Sequence, residues 1–317
     1  MITIYLKQHN KIVHNPDPKI FDELGYDDIL WIDLLQPSIK EQKEVENFME
    51  ISLQTRQQVE EIETTSKYSE TENAVFTNTN FLVHQPDGEF VVEPVSFVVS
   101  EGVLITVRQT EFRTIGEAAK RLQMNYRAYP TGYHILISIL EIRIDADADV
   151  VEALSRKIAL LSKDISGAEK VKQEEIRRIS GLQESIMSIR EVIFDRQRIL
   201  SGILKSERFP NDIYPRLQLM IKDLNSIVSH ADFSFERLDF LRETALNLLN
   251  LEMTNTTKIF SVAAVFFMPA TLVSGIYGMN FRLFPDGDTK GGFWIAISLM
   301  VLFSLVTMLW FRYKKWM

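Results

Sequence analysis

Two charge-free apolar runs near the C-terminus constrain this chain more than any other feature. Ile259–Phe281 is 23 residues long and Gly291–Phe311 is 21. At about 1.5 Å per helical residue, either one crosses a bilayer core of roughly 30 Å. A purely soluble protein is therefore not expected. The other end of the chain, MITIYLKQHNKIVH, is a short strand-like segment with no long apolar core, so no secretory signal is expected. Most of the 317 residues precede the first run, which leaves room for a separate folded domain.

Charge divides the chain the same way. Residues 258–317 hold six basic residues and two acidic ones, a net +4; the whole chain carries −8, so residues 1–257 carry −12. An acidic domain argues against a nucleic-acid partner. It fits a solvated domain that attracts cations, and equally one that is acidic for solubility alone. Cysteine is absent, which removes disulfides, thiolate metal sites and a cysteine nucleophile. Lys258 precedes the first run, and Arg312, Lys314 and Lys315 follow the second; the segment between the runs has two basic and two acidic residues. This asymmetry predicts a multi-pass protein of the cell (inner or plasma) membrane with both termini in the cytoplasm.

Residues 1–112 predict a mixed α/β domain. Ile2–Leu6, Ile29–Leu34, Ala74–Val83, Phe90–Val99 and Val103–Arg108 read as strands, and Gln85-Pro86-Asp87-Gly88 as a hairpin turn. Pro37-Ser38 opens a helix. Strand signals stop after residue 112, and residues 113–215 read as a helical part of the same domain, interrupted at Pro210 and Pro215. Arg216–Met268 then runs for 53 residues without Gly or Pro. Leu217, Met220, Leu224, Ile227, Ala231, Leu238, Leu241, Ala245 and Leu248 keep three-and-four spacing, with Ser234 as the polar break, which is a coiled-coil-type seam. The predicted order is a stalk helix over 216–257, a first span over 258–280, a loop over 281–292, a second span over 293–311 and a basic tail. One continuous rod of about 80 Å and two helices broken at Thr254-Asn255-Thr256-Thr257 both fit this stretch.

Enzyme signatures are missing. Asp145, Asp147 and Asp149 resemble the start of a calcium loop, but Val150 and Arg156 occupy the positions that need Gly and Glu, so they read as an acidic helix face. The five histidines show no zinc-binding spacing, and no phosphate loop, nucleophile elbow or kinase signature occurs.

The first run has a distinctive face. Stepping back from Gly278 by threes and fours gives Gly275, Thr271, Met268, Ala264, Ser261, Thr257 and Thr254, which are small, polar or flexible. Such a face either lets helices pack closely or lines a narrow aqueous pathway. Beyond it comes Tyr277-Gly278-Met279-Asn280-Phe281, where glycines allow close approach and Asn280 offers an acceptor oxygen.

The run from Met268-Pro269 to Tyr277-Gly278-Met279-Asn280-Phe281, two spans at the C-terminus and the ending Lys314-Lys315-Trp316-Met317 together resemble the CorA family of divalent-cation channels. The segment Val95–Val107 is similar to that family's cytoplasmic sheet, and the long seam to its stalk. The resemblance covers the whole chain. It implies a funnel-shaped homopentamer: an α/β cytoplasmic domain, long stalk helices and two C-terminal transmembrane helices, with the first spans around the pore. It implies that Gly278, Met279 and Asn280 form the selectivity filter for hydrated Mg²⁺. It implies that Thr254, Thr257, Ser261, Ala264, Met268, Thr271 and Gly275 line the pore. Two departures stand out. The family's external Met-Pro-Glu-Leu is replaced by Leu283-Phe284-Pro285-Asp286-Gly287-Asp288, so Asp286 and Asp288 become the cation-attracting acids. Thr254 and Thr257 stand where members often carry Asn and Met, which makes the inner pore more polar.

The resemblance further implies that cytosolic Mg²⁺ bridges acidic groups between subunits and favours closure; Asp87, Glu89 and Asp223 are candidates for that regulatory site. Mg²⁺ is thus expected as both cargo and regulator, with Co²⁺, Ni²⁺ or Zn²⁺ as further cargo. The alternatives are a zinc transporter of the ZntB type and, from a different class, a membrane-anchored signalling or scaffold protein. The polar face of the first span argues against the last, since an anchor needs no Thr271 or Ser261 on one side.

Overall fold

Six of the seven residues in Ile29–Leu35 are buried, including the central Trp31 and Ile32. Such a continuous apolar run suits a strand covered on both faces. In the computed structural model, which describes residues 1–8, 11–54, 56–61, 67–84, 90–167, 171–279 and 290–314, this strand is β3. It lies between β1 (Ile2–Gln8), antiparallel, and β7 (Val103–Arg108), parallel. With β2 (Lys11–Asn15), β4 (Tyr68–Glu70), β5 (Ala74–His84) and β6 (Phe90–Ser100) they form one seven-stranded sheet of order β2-β1-β3-β7-β6-β5-β4. The five strands expected from the sequence are all present. The two edge strands β2 and β4 were not legible: β2 buries none of its residues and β4 is three residues long, so neither carries a strong alternation. The expected turn at Gln85–Gly88 lies outside the described residues, although its flanks pair from Ala74↔Ser100 to His84↔Phe90.

Local chemistry sets the sheet's corners. Glu101 (φ 49°) and Gly102 (φ 77°) are consecutive left-handed residues. That is the two-residue hairpin geometry that follows strand twist, and it places β7 beside β6. Pro37-Ser38 does open a helix, α1 (Ile39–Met49): the Ser38 hydroxyl accepts from the Glu41 amide at 3.2 Å, and Glu41 accepts from the Ser38 amide at 2.8 Å. A short helix α2 (Arg56–Glu61) follows.

The chain divides into two compact units, residues 1–167 with 173–242, and residues 168–172 with 243–317. In the first, α3 (Arg113–Met124), α4 (Gly132–Gly167), α5 (Gln173–Lys205) and the first part of α6 (Tyr214–Tyr277) join the sheet. Pro215 stands in the first turn of α6, where its missing N–H costs nothing, so the helix starts ahead of the expected residue 216. From Leu217 to Leu241 the three-and-four seam is buried within this unit, and Ser234 Oγ meets Ser155 Oγ of α4 at 2.9 Å.

This unit also buries charge. Asp33 of β3 receives Arg108 of β7 through two hydrogen bonds of 3.0 and 2.8 Å. Asp147, read from the sequence as part of an acidic surface face, is instead fully buried, whereas Asp145 and Asp149 are exposed. Arg143 Nε donates to it at 3.0 Å, and Arg196 of α5 pairs with its second oxygen. Both guanidinium groups lie over the Phe81 ring of β5, at 5.2 and 5.6 Å. Arg196 also donates to the Asn80 carbonyl at 2.9 Å. Burial pushes Arg196 down to about 10, while Asp147 acts in the opposite direction.

In the second unit, α6 continues to Tyr277 and α7 (Lys290–Tyr313) returns. Both helices are long and apolar enough to cross a membrane. Their contact is narrow: Val273, Ala296 and Ser304 are buried, and Ser304 Oγ donates to the Phe266 carbonyl at 3.0 Å. Phe260, Phe267, Leu272, Phe293 and Trp294 are each more than 60% exposed, so these helices require a nonaqueous environment or further copies around them.

Candidate functional site

The break considered at Thr254–Thr257 does not occur, because α6 is a single helix from Tyr214 to Tyr277. The threonines are accommodated by bonding backwards. Thr254 Oγ1 donates to the Asn250 carbonyl at 2.8 Å, Thr256 to Glu252 at 3.0 Å and Thr257 to Met253 at 2.9 Å. Ser261 donates to Thr257 at 2.8 Å and Thr271 to Phe267 at 3.0 Å. A hydroxyl satisfied in this way no longer competes with the helix backbone.

These bonds also fix what the helix face offers. Thr254, Thr257, Ser261 and Thr271 each spend their single proton on their own helix. The lone pairs of each oxygen remain, so each presents an acceptor rather than a donor. All four hydroxyls of the small-residue stripe behave alike, and all four residues are exposed. Further along the same side, Ala264, Met268, Thr271, Gly275 and Met279, with the apolar Phe267, Leu272 and Ile276, line a shallow concavity of about 730 Å³. A Cβ added at Gly275 would meet nothing within 4 Å, so the glycine leaves open space rather than serving a contact within the chain.

The helix ends at Tyr277. The Gly278 amide still donates to the Ser274 carbonyl at 2.9 Å, and Met279 to Ile276 at 3.2 Å. Neither residue takes a positive φ; the last turn tightens instead. Gly278 and Met279 thus follow directly on the stripe. Asn280, Asp286 and Asp288 lie outside the described residues, as do Asp87 and Glu89.

Asp223 is exposed on α6. It belongs to an acidic patch with Glu141, Asp145 and Asp149. The Asp145 carboxyl is raised, first by burial and then by repulsion from Glu141, with Asp223 and Asp149 adding to it. Among the described residues, no three of His, Asp and Glu stand close enough to hold a metal ion.

Sequence reading missed the buried Arg143–Asp147–Arg196 group. Its one signal was an arginine four residues before an aspartate in the mostly apolar ILISILEIRIDAD.

Known proteins show the same architecture. The profile of the "CorA-like Mg2+ transporter protein" family matches residues 26–315. A curated relative, the "Magnesium transport protein CorA" of Wolinella succinogenes, is 32% identical over 321 residues and the match spans the full length of both chains. The complete structure of the CorA magnesium transporter from Methanocaldococcus jannaschii superimposes with a TM-score of 0.80 at 18% identity, covering 100% of this chain and 99% of the other. The ZntB cytoplasmic domain from Vibrio parahaemolyticus is a more distant match, with a TM-score of 0.56 at 12% identity over 78% of this chain and 97% of the other.

Proposed function

This chain belongs to the CorA-like Mg²⁺ transporter family, and we propose that it conducts hydrated Mg²⁺ through a homopentameric pore in the cell membrane, with both termini in the cytoplasm. The observation that carries this reading is the row of oriented hydroxyls on α6. Mg²⁺ holds its octahedral water shell tightly. The protons of that shell point outward, so a pathway that avoids dehydration needs acceptors along its wall. Thr254, Thr257, Ser261 and Thr271 supply them, because their own protons are engaged.

At the outer end, Gly278, Met279 and Asn280 are the filter. Asn280 from each subunit offers a carbonyl oxygen to the waters of the ion, and Asp286 and Asp288 concentrate cations outside. A divalent ion crossing about 100 mV gains about 4.6 kcal/mol, so the membrane potential suffices to drive uptake. The test is flux into liposomes under an imposed potential, with Mg²⁺, Co²⁺, Ni²⁺ and Zn²⁺ in parallel. Potential-dependent Mg²⁺ entry supports the proposal. Entry of Zn²⁺ alone would replace it with a zinc transporter, and no entry of any ion would leave the spans as an anchor.

Cytosolic Mg²⁺ closes the pore in this reading. The Asp145 carboxyl is raised mainly by burial, and Glu141, Asp223 and Asp149 add repulsion that Arg121 partly offsets, which supports this reading. A divalent ion between two such faces relieves that repulsion. Millimolar Mg²⁺ is therefore expected to slow proteolysis of the acidic domain severalfold, while Na⁺ at equal ionic strength does much less. Identical digestion rates under that control would remove Mg²⁺ sensing and leave conduction untouched.

A further inference from the structure

At one end of the second unit, α6 and α7 enclose an apolar groove of about 390 Å³, lined by Ile259, Val262, Phe266, Thr307, Met308 and Phe311 among others. Thr307 is its one polar lining residue, and its hydroxyl is engaged by the Phe303 and Ser304 carbonyls at 3.0 and 2.9 Å. Nothing in the groove recruits water or a hydrated ion, so a hydrocarbon chain is the occupant that its chemistry accepts.

The residues that flank the groove lining in the chain have the opposite character. Lys258 precedes Ile259, the first lining residue, and Arg312 follows Phe311, the last; Lys314 is two residues further on. All three cations are exposed, and none forms an ion pair among the described residues. Trp310 and Tyr313 are exposed beside them, as amphipathic rings are at the headgroup level of a bilayer. An apolar slot whose lining segments run directly into three unpaired cations matches a molecule with a hydrocarbon tail and an anionic head.

The direction in which the groove faces separates a lipid from a second copy of the chain. At 100° per residue, Val262 and Phe266 each lie about 200° around α6 from Ala264. They are therefore on the side opposite the concavity that holds Ala264, Met268, Thr271 and Gly275, with Phe267 at the border where it lines both. If that concavity faces the ion pathway, the groove faces away from it.

We propose that the groove binds one acyl chain of an anionic phospholipid of the adjacent leaflet, with the lipid phosphate held by Lys258, Arg312 and Lys314. Basic pockets between spans recruit anionic headgroups in this way. Seated there, the lipid ties α6 to α7 at the end where Thr254 and Thr257 lead into the span. The proposal rests on reading α6 and α7 as membrane spans and the small-residue stripe as the pathway side.

The experiment reconstitutes the full chain in phosphatidylcholine vesicles and measures its association with spin-labelled phosphatidylglycerol and spin-labelled phosphatidylcholine. Wild type is expected to prefer the anionic lipid by about fivefold for each basic residue engaged. The triple substitution Lys258→Ala, Arg312→Ala and Lys314→Ala is expected to abolish the preference without changing the oligomer mass. Ala263→Phe, which fills the groove, is expected to weaken retention of both lipids while leaving the cations in place. Equal association of the two lipids with wild type would overturn the proposal, as would a preference that survives the triple substitution. Displacement of the lipid by millimolar inorganic phosphate would also overturn it, since the cations would then bind phosphate without the tail. The chain has no cysteine, so Ala263→Cys with Met308→Cys gives a clean further arm. Covalent oligomers from that variant would assign the groove to a neighbouring subunit and end the lipid reading. Mg²⁺ flux on the same vesicles is scored separately: selectivity without flux removes conduction and keeps this site, and flux without selectivity does the reverse.

Discussion

Asn280→Ala is expected to reduce Mg²⁺ uptake to the background of empty liposomes while the oligomer retains a mass five times the 36.7 kDa of the chain. The substitution removes the acceptor that follows Gly278 and Met279 at the end of the α6 stripe, and it adds no bulk. A hydrogen bond to a charged group contributes about 1.5–3 kcal/mol. Losing one net bond to the hydrated ion therefore lowers filter occupancy by about ten- to a hundredfold, and losing one per subunit lowers it further. Asn280→Asp keeps an acceptor and adds charge, so that variant should retain ion binding with altered selectivity among divalent cations. Flux and light scattering on the same preparation separate a filter defect from an assembly defect. Wild-type flux through a correctly assembled Asn280→Ala oligomer would sink the filter assignment. A mass of one or two chains for the wild type would sink the ring itself, because a single polar helix face per chain encloses a pathway only by symmetric repetition.

The second large effect concerns the fold. Asp147→Ala leaves Arg143 and Arg196 facing one another over Phe81 with no carboxylate between them. Arg196 is already so deprived of water that burial lowers its affinity for its own proton. Removing one partner of such a buried pair costs about 3–5 kcal/mol. Against a typical domain stability of about 5–15 kcal/mol, that is a large share. The variant is expected to melt at much lower temperature and to be degraded during expression. The decisive control exchanges the whole group. Asp147→Leu combined with Arg143→Met and Arg196→Met should recover most of the lost stability, since well-packed apolar replacements of buried ion groups are often neutral or stabilising. If Asp147→Ala melts like wild type, the aspartate is not the element that holds α4, α5 and β5 together. If the triple exchange is as unstable as the single one, packing rather than charge compensation sets the cost.

What could be read from the chain alone follows from interactions that repeat at short range. An uncharged run of more than 20 residues has few places to go other than a bilayer, so the two spans followed from composition over one window. The seam from Leu217 to Leu241 is legible because one helix face recurs every three or four residues. The capping box of Ser38 and Glu41 closes within four residues. The Tyr277–Asn280 motif carried the family resemblance on four consecutive positions. The rest depended on partners distant in sequence. Asp147 sits among Asp145 and Asp149 and reads as surface, yet Arg196 approaches it from α5, itself held by Asn80 and Phe81 of β5, and makes it core. Strand β2 buries no side chain, so only its pairing with β1 identifies it. Thr254 to Thr257 allow either a break or a rod by propensity. Continuity was decided when the hydroxyls found carbonyls one turn back, and that same geometry determined that the stripe offers acceptors. The apolar groove exists only because α7 returns alongside α6, bringing Ile259 and Phe311, more than fifty positions apart, into one lining. Pattern along one strand or helix sets which side chains face the same way; which charges meet, and across what space, is decided by the second element that packs there.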